Sequence, residues 1–223
     1  MPGVRILMTM QRYLKLLLKP IAKPILTVFN NVKEFSLFIM YPQLHLAFRV
    51  VSHLTMKERI VLYRLSKNCN LIVEIGSYIG ASACCFGAAM KSRGECDGKI
   101  FCIDTWNNDA MTEGTRDTWQ EFKDNTTLYS NYIVPVRGFS TEVVQDLTKK
   151  IDRIDLLFID GDHSYQGVKS DWEAYKSFLK SGSVVVFHDW GWAEGVKRVI
   201  TEDVKSLVDH YDLLPNMWWG TIR

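Results

Sequence analysis

The segment Val73 to Ala83, VEIGSYIGASA, constrains this chain of 223 residues more than any other. An apolar run of Leu71, Ile72, Val73 and Ile75 carries Glu74, then meets Gly76 and Gly80, after which small residues suit a helix start. The pattern is strand, tight turn, helix. Glycine there admits positive φ and close approach of a ligand to the backbone, and the N–H groups that open a helix attract a negative group. Glu74 adds a negative charge beside them. The turn therefore suits a ligand carrying a carboxylate and an ammonium together, and it repels a pyrophosphate. Tyr78 stands where a dinucleotide fingerprint needs glycine, and no Gly-Lys-Ser/Thr follows. A close-packed turn without any ligand gives the same pattern, so the rest of the chain must decide.

After a lead-in helix at 55–66, apolar strand-like runs alternate with helical patterns, which predicts a mainly parallel sheet covered on both faces. Strands are expected near 71–75, 99–104, 132–136, 155–160 and 183–188, and helices near 80–91, 141–150, 166–180 and 193–206. Gly182 is expected to stop the helix that follows the fourth strand. In such sheets ligands bind beyond the carboxyl ends of the strands. Those ends carry Glu74, Asp104, Asp160 and Asp189. Turn and cap formation explains any one of these acids and explains the four together poorly.

EIGSYIGAS resembles the first motif of class I S-adenosylmethionine-dependent O-methyltransferases of the catechol, caffeoyl-CoA and macrolide-sugar type, with similarity from about Leu54 to the C-terminus. S-adenosylmethionine carries both the carboxylate and the ammonium. IDTW followed by NNDAMTEGTRDTWQEF is similar to the macrolide-sugar branch. The resemblance implies a Rossmann-like α/β fold with a seven-stranded sheet, mostly parallel, whose antiparallel last strand is MWWGTIR. It implies that Gly76, Ser77, Tyr78, Gly80 and Ser82 hold the methionine end of the cofactor, with Glu74 behind them. Asp104, at about the offset from Gly80 that dinucleotide folds use for the ribose, would take the ribose hydroxyls with Thr105 and Trp106 alongside. Ser140 in RGFS matches an adenine-side contact, and Asp160 closes the cofactor site.

FIDGDHSY supplies the chemistry. Methyl transfer from a sulfonium is an in-line displacement, and an alcohol is a poor nucleophile until its proton is removed or its pKa lowered. His163, three residues after Asp160, stands where the family places its base, and imidazole titrates near neutral pH. Relatives that use a divalent cation hold it at positions matching Asp160, His188 and Asp189. An imidazole at 188 departs from the oxygen ligands that Mg²⁺ prefers. Either the cation is a borderline one such as Mn²⁺, or His188 orients the acceptor and no metal binds. Trp106, Trp119, Trp190 and Trp192 flank these loops as aromatic platforms, while His45, His53 and His210 match no motif. The expected reaction is O-methylation of a small molecule or a sugar or glycan precursor. The alternatives are an NAD-binding oxidoreductase and a non-catalytic cofactor-binding scaffold.

Lys and Arg number 27 against 25 Asp and Glu, so the chain as a whole lacks the charge of a nucleic-acid binder. Its first 36 residues are nevertheless basic, with Arg5, Arg12, Lys15, Lys19, Lys23 and Lys33 against Glu34. Arg12, Lys15 and Lys19 fall at helical spacing opposite Leu14, Leu17, Leu18 and Ile21. This basic amphipathic stretch, residues 1–24, reads as a subunit contact in a homo-oligomer, as a cover on the catalytic domain, or as peripheral contact with an anionic membrane. The expected domains are 1–53, a helical extension, and 54–223, the catalytic domain. The run from Phe35 to Phe48 is too short to span a bilayer, and no signal peptide is expected. Five cysteines (Cys69, Cys84, Cys85, Cys96, Cys102) without a C-x-x-C pair read as reduced thiols in a cytoplasmic protein.

Overall fold

The computed structural model describes residues 34–94, 97–108, 114–147 and 149–223, and the chain forms two compact units, Met1–Pro42 and Gln43–Arg223. In the first unit residues 34–40 are helical. The basic amphipathic stretch lies outside the described residues.

The second unit opens with α1 (His45–Arg49) and α2 (Met56–Ser66). Thr55 starts α2 through a capping box, its Oγ accepting from the Glu58 N–H at 3.3 Å while Glu58 Oε2 accepts from the Thr55 N–H at 2.7 Å. The alternating run follows as β1 (Leu71–Ile75), α3 (Ala81–Lys91), β2 (Lys99–Asp104), α4 (Trp119–Thr126) and β3 (Ile133–Arg137). It continues as α5 (Ser140–Leu147), β4 (Ile154–Ile159), α6 (Tyr165–Tyr175), β5 (Leu179–His188) and α7 (Glu194–Val199), and an antiparallel pair, β6 (Val208–Leu214) and β7 (Met217–Ile222), closes it. Among the described residues the sheet has seven strands in the order β3-β2-β1-β4-β5-β7-β6. All neighbours are parallel as far as β5, which pairs antiparallel with β7. This is the Rossmann-like sheet expected. Central strands read as unbroken apolar runs because both faces are covered, with Ile72, Val73, Leu156, Leu157, Val185 and Val186 fully buried.

Cys84 and Cys85 on α3 are fully buried, and burial pushes the Cys84 thiol up to about 12. They act as small apolar fillers between helix and sheet.

Three local expectations change. Gly182 stops no helix: α6 ends at Tyr175 and Gly182 lies inside β5. There Ile154 pairs with Leu179 while Leu156 pairs with Val184, so the extra residues bulge, tied down by Ser183 Oγ donating to the Ile154 carbonyl at 2.6 Å. The helix expected over 193–206 is α-helical to Val199 and then widens into a π turn over Ile200–Val204. Strand β6, VDHYDLL, escapes the sequence pattern because it is an exposed edge with only Val208 buried.

Gln43 to His53, grouped by sequence with the extension, pack in the second unit. Leu44 and Ala47 are fully buried, and the buried guanidinium of Arg59 on α2 gathers the chain there, donating to the carbonyls of Ala47, of Val50 at 3.1 Å and of Leu54 at 3.0 Å. Arg59→Met strands these carbonyls, and unsatisfied buried acceptors cost ~1–3 kcal/mol each. Urea unfolding is expected to show a loss of about 3 kcal/mol, and an unchanged midpoint would remove Arg59 as the tie.

Candidate functional site

The switch in strand order falls between β1 and β4, and the loops beyond their carboxyl ends meet there. Gly76 has φ +85°, and a Cβ on it would lie 2.1 Å from the Asp160 carbonyl oxygen, so only glycine lets the two loops touch. Gly80, at φ 91°, starts α3. A cavity of about 710 Å³ opens over this junction.

Its first wall is the cofactor turn. Gly76, Ser77, Tyr78 and Ser82 line it, together with Asp104, Thr105 and Ser140 from the ends of β2 and β3. Asp104 is held by two backbone donors, the N–H of Tyr78 at 2.8 Å and of Trp106 at 2.7 Å, which fix its carboxylate at the strand end. Ser140 hydrogen-bonds the buried Asp171 of α6, and the Tyr175 hydroxyl donates to the Ser140 carbonyl at 2.8 Å. Burial raises the Asp171 carboxyl to about 6 despite that bond.

Glu74 and Trp106 stand behind this wall. Trp106, fully buried, packs on Trp119 and Phe122 and donates its indole N–H to the Tyr78 carbonyl at 2.9 Å, so it shapes the turn from behind. Glu74 is fully buried; its Oε2 accepts from Ser77 Oγ at 2.6 Å, while Oε1 lacks a hydrogen-bond partner. Burial raises this carboxyl to about 7, against the opposing influence of Ser77, Ser82 and Cys102.

The second wall holds the acid–base groups. Asp160, His163, His188 and Asp189, far apart in the chain, all reach the cavity. His163 Nε2 lies 2.7 Å from Asp189 Oδ2. Asp189 Oδ1 takes the Trp192 indole N–H at 2.7 Å and the Asn216 amide at 2.9 Å. His188, 3% exposed, sets Nδ1 3.1 Å from Asp160 Oδ1 and 3.3 Å from Asp189 Oδ1, with Nε2 3.9 Å from Glu58 Oε2. Burial opposes charge on His188, but the three carboxylates outweigh it and raise the pKa to about 12. Burial likewise works against the Asp189 anion, yet His163 and His188 hold its pKa far below the ordinary carboxylate range. Asp189 in turn raises that of His163. The ligand atoms that converge within 4.8 Å as a candidate cation set belong to Asp160, His163 and Asp189.

Several contributors have little sequence signal. His53 lines the cavity with Ser52, and of the four tryptophans only Trp192 does so. Asn216 comes from the β6–β7 turn, and Glu58 belongs to the capping box that starts α2. Phe139, beside Ser140, was within reach of the RGFS motif.

A family model described as a methyltransferase domain matches residues 73–190, from the strand bearing Glu74 to the loop bearing Asp189. The chain belongs to this methyltransferase family. A protein of Sinorhizobium fredii, y4gI, is 33% identical over 120 residues, which are 53% of this chain and only 13% of that longer protein. Among solved structures the methyltransferase resembles CalS11, a TDP-rhamnose 3'-O-methyltransferase of calicheamicin biosynthesis, at 19% identity and TM-score 0.56, covering 74% of this chain and 77% of that one. It also resembles the O-methyltransferase TomG from Streptomyces achromogenes, solved with S-adenosylmethionine, at 14% identity and TM-score 0.61, covering 83% and 89%. These likenesses establish the fold.

The methyltransferase without ligand is expected to carry Glu74 protonated near neutrality. Its folded pKa exceeds the unfolded value, so its contribution favours the fold at pH below about 4.5 and is lost as pH rises through about 7. Denaturation curves are expected to show a decline on the order of 3 kcal/mol across that window, which Glu74→Gln flattens. An equally steep decline in the variant would place the titration elsewhere.

Proposed function

We propose that this methyltransferase is an S-adenosylmethionine-dependent O-methyltransferase with His163 as its base. The observation that carries the reading is the His163–Asp189 pair, held at 2.7 Å on the wall of a cavity whose other end is the Gly76–Asp104 turn. The residues fit the cofactor. The partnerless buried Oε1 of Glu74 supplies negative charge behind the turn for an ammonium, and Asp104 stands where ribose hydroxyls would be received. S-adenosylmethionine, when bound, supplies an electrophilic methyl group.

Asp189 keeps the proton of His163 on Nε2, which leaves the lone pair on Nδ1 and makes the ring a stronger base. With an acceptor hydroxyl in the cavity, His163 Nδ1 would take its proton as the oxygen receives the methyl group that the cofactor would supply. Asp160 and His188 hold the surrounding charge in place, and Asn216 and Trp192 fix the Asp189 carboxylate. His163→Ala is expected to lower kcat by about 10²–10⁴ with binding of S-adenosylhomocysteine unchanged in titration calorimetry. Undiminished turnover in that variant would remove the base assignment.

A divalent cation would enter the same cluster. To ligate it, His188 would have to release a proton held by three carboxylates, and Asp189 would have to exchange donors it already has. The Asp160, His163 and Asp189 set, with its imidazole, suits Mn²⁺ better than Mg²⁺. With Asp189 and His163 paired as partner and base, the proposed proton transfer needs no cation, so metal-stripped protein is expected to keep its activity. Activity that returns only on adding Mn²⁺ would reverse this.

We further propose that the catalytic domain takes in the second unit from Gln43 onward and that residues 1–24 serve in subunit or anionic-surface contact in the cytoplasm. Among the described residues no helix is long and apolar enough to cross a membrane.

A further inference from the structure

The charge of the cavity narrows the acceptor. Five aspartates line it, at 104, 160, 162, 171 and 189, and among the described lining residues none is Lys or Arg. Nearby guanidinium groups stand outside the lining and toward the cofactor end. Arg137 pairs in register with Asp104 and donates to the Thr105 carbonyl at 3.0 Å, while Arg116 engages Glu121 and the Tyr78 hydroxyl. A phosphate or diphosphate entering between Asp162, Asp189 and His163 would meet carboxylates, and the His188 imidazole beneath them is already matched by Asp160, Asp189 and Glu58. Desolvating like charges together is unfavourable, and electrostatic mismatch of this kind excludes partners.

The acceptor end also has a shaped apolar surface. Trp192 is 61% exposed, yet its indole N–H is bonded to Asp189 at 2.7 Å, so the ring is held with its face open. Its centroid lies 4.9 Å from that of His163, which places the platform beside the base. Polar side chains line the same cavity. Asn216 comes from the β6–β7 turn, and Ser52 and His53 precede the helix whose Glu58 approaches His188. One fixed aromatic face in a cavity that also carries hydrogen-bonding groups matches the C–H face and hydroxyls of a sugar ring, where a phenol would call for an apolar slot.

Resting on the O-methyltransferase reading, we propose that the acceptor is an uncharged sugar, a glycoside or glycan end without a nucleotide diphosphate, stacked on Trp192 with its reacting hydroxyl toward His163. In this it would differ from CalS11, whose acceptor is TDP-rhamnose.

Matched probes isolate the charge. Full-length protein saturated with S-adenosylhomocysteine, so that nucleotides cannot occupy the cofactor site, is titrated in saturation-transfer NMR with three pairs. These are methyl rhamnoside and TDP-rhamnose, methyl glucoside and UDP-glucose, and methyl mannoside and GDP-mannose, with catechol as a phenolic probe. At least one glycoside is expected to bind about tenfold more tightly than its nucleotide-linked partner, and Trp192→Ala should remove its ring-proton signal while S-adenosylhomocysteine stays bound. Tighter binding of the nucleotide-linked sugars, tighter binding of catechol, or no binding by any probe would overturn the proposal. Failure of S-adenosylhomocysteine to bind in the first step would instead remove the methyltransferase reading beneath it.

Discussion

The contact between the turn after β1 and the loop after β4 is the constraint on which the rest of the site depends. With no side chain at position 76, the backbone of one strand end rests against the Asp160 carbonyl of the other; any Cβ there would sit 2.1 Å from that oxygen. The contact closes the floor of the cavity. It places Glu74 and Ser77 on one side of the junction and Asp160 on the other, so that the cofactor and acceptor walls meet at one junction. The positive φ at Gly76 and the left-handed Tyr78 and Asp189 are the local backbone irregularities that aim these loops inward.

Around that floor the protein divides its charges by burial. Glu74 is fully buried with no cationic partner beside it, and desolvation outweighs its hydrogen bonds from Ser77, Ser82 and Cys102, which favours its neutral form until a cationic group arrives. Asp189 lies against the imidazoles of His163 and His188 instead, which favour its anion, and the carboxylates around His188 favour that ring's protonated form. Acids at two strand ends, Glu74 after β1 and Asp189 after β5, thus have opposite tendencies around one site. The difference comes from what each faces: Glu74 points under the sheet toward Ser77 and Ser82, whereas Asp189 points at His163, His188, Trp192 and Asn216.

The hairpin that ends the sheet contributes to the chemistry as well as to the fold. Asn216 bridges the Asp189 carboxylate and the Gly191 N–H, which it accepts at 3.2 Å, and so clamps the loop that presents Trp192. From the other side α2 brings Glu58 under His188. A residue of the capping box that starts α2 therefore also sets the charge of a buried imidazole.

Sequence alone determined the first five strands and most of the helices between them, the glycine turn and the acids at four of those strand ends, because these follow from local periodicity, from backbone conformations that only glycine adopts freely, and from where the chain must turn. MWWGTIR was legible as a strand, but its polar partner β6 was not, since an exposed edge strand needs little apolar content. Only tertiary structure decided which tryptophan faces the cavity, which carboxylates share a proton with a histidine, and that Glu58, His53 and Asn216 belong to the site. Those outcomes depend on which side chains from distant segments come within hydrogen-bond distance, and burial by neighbours far away in the chain sets their charge.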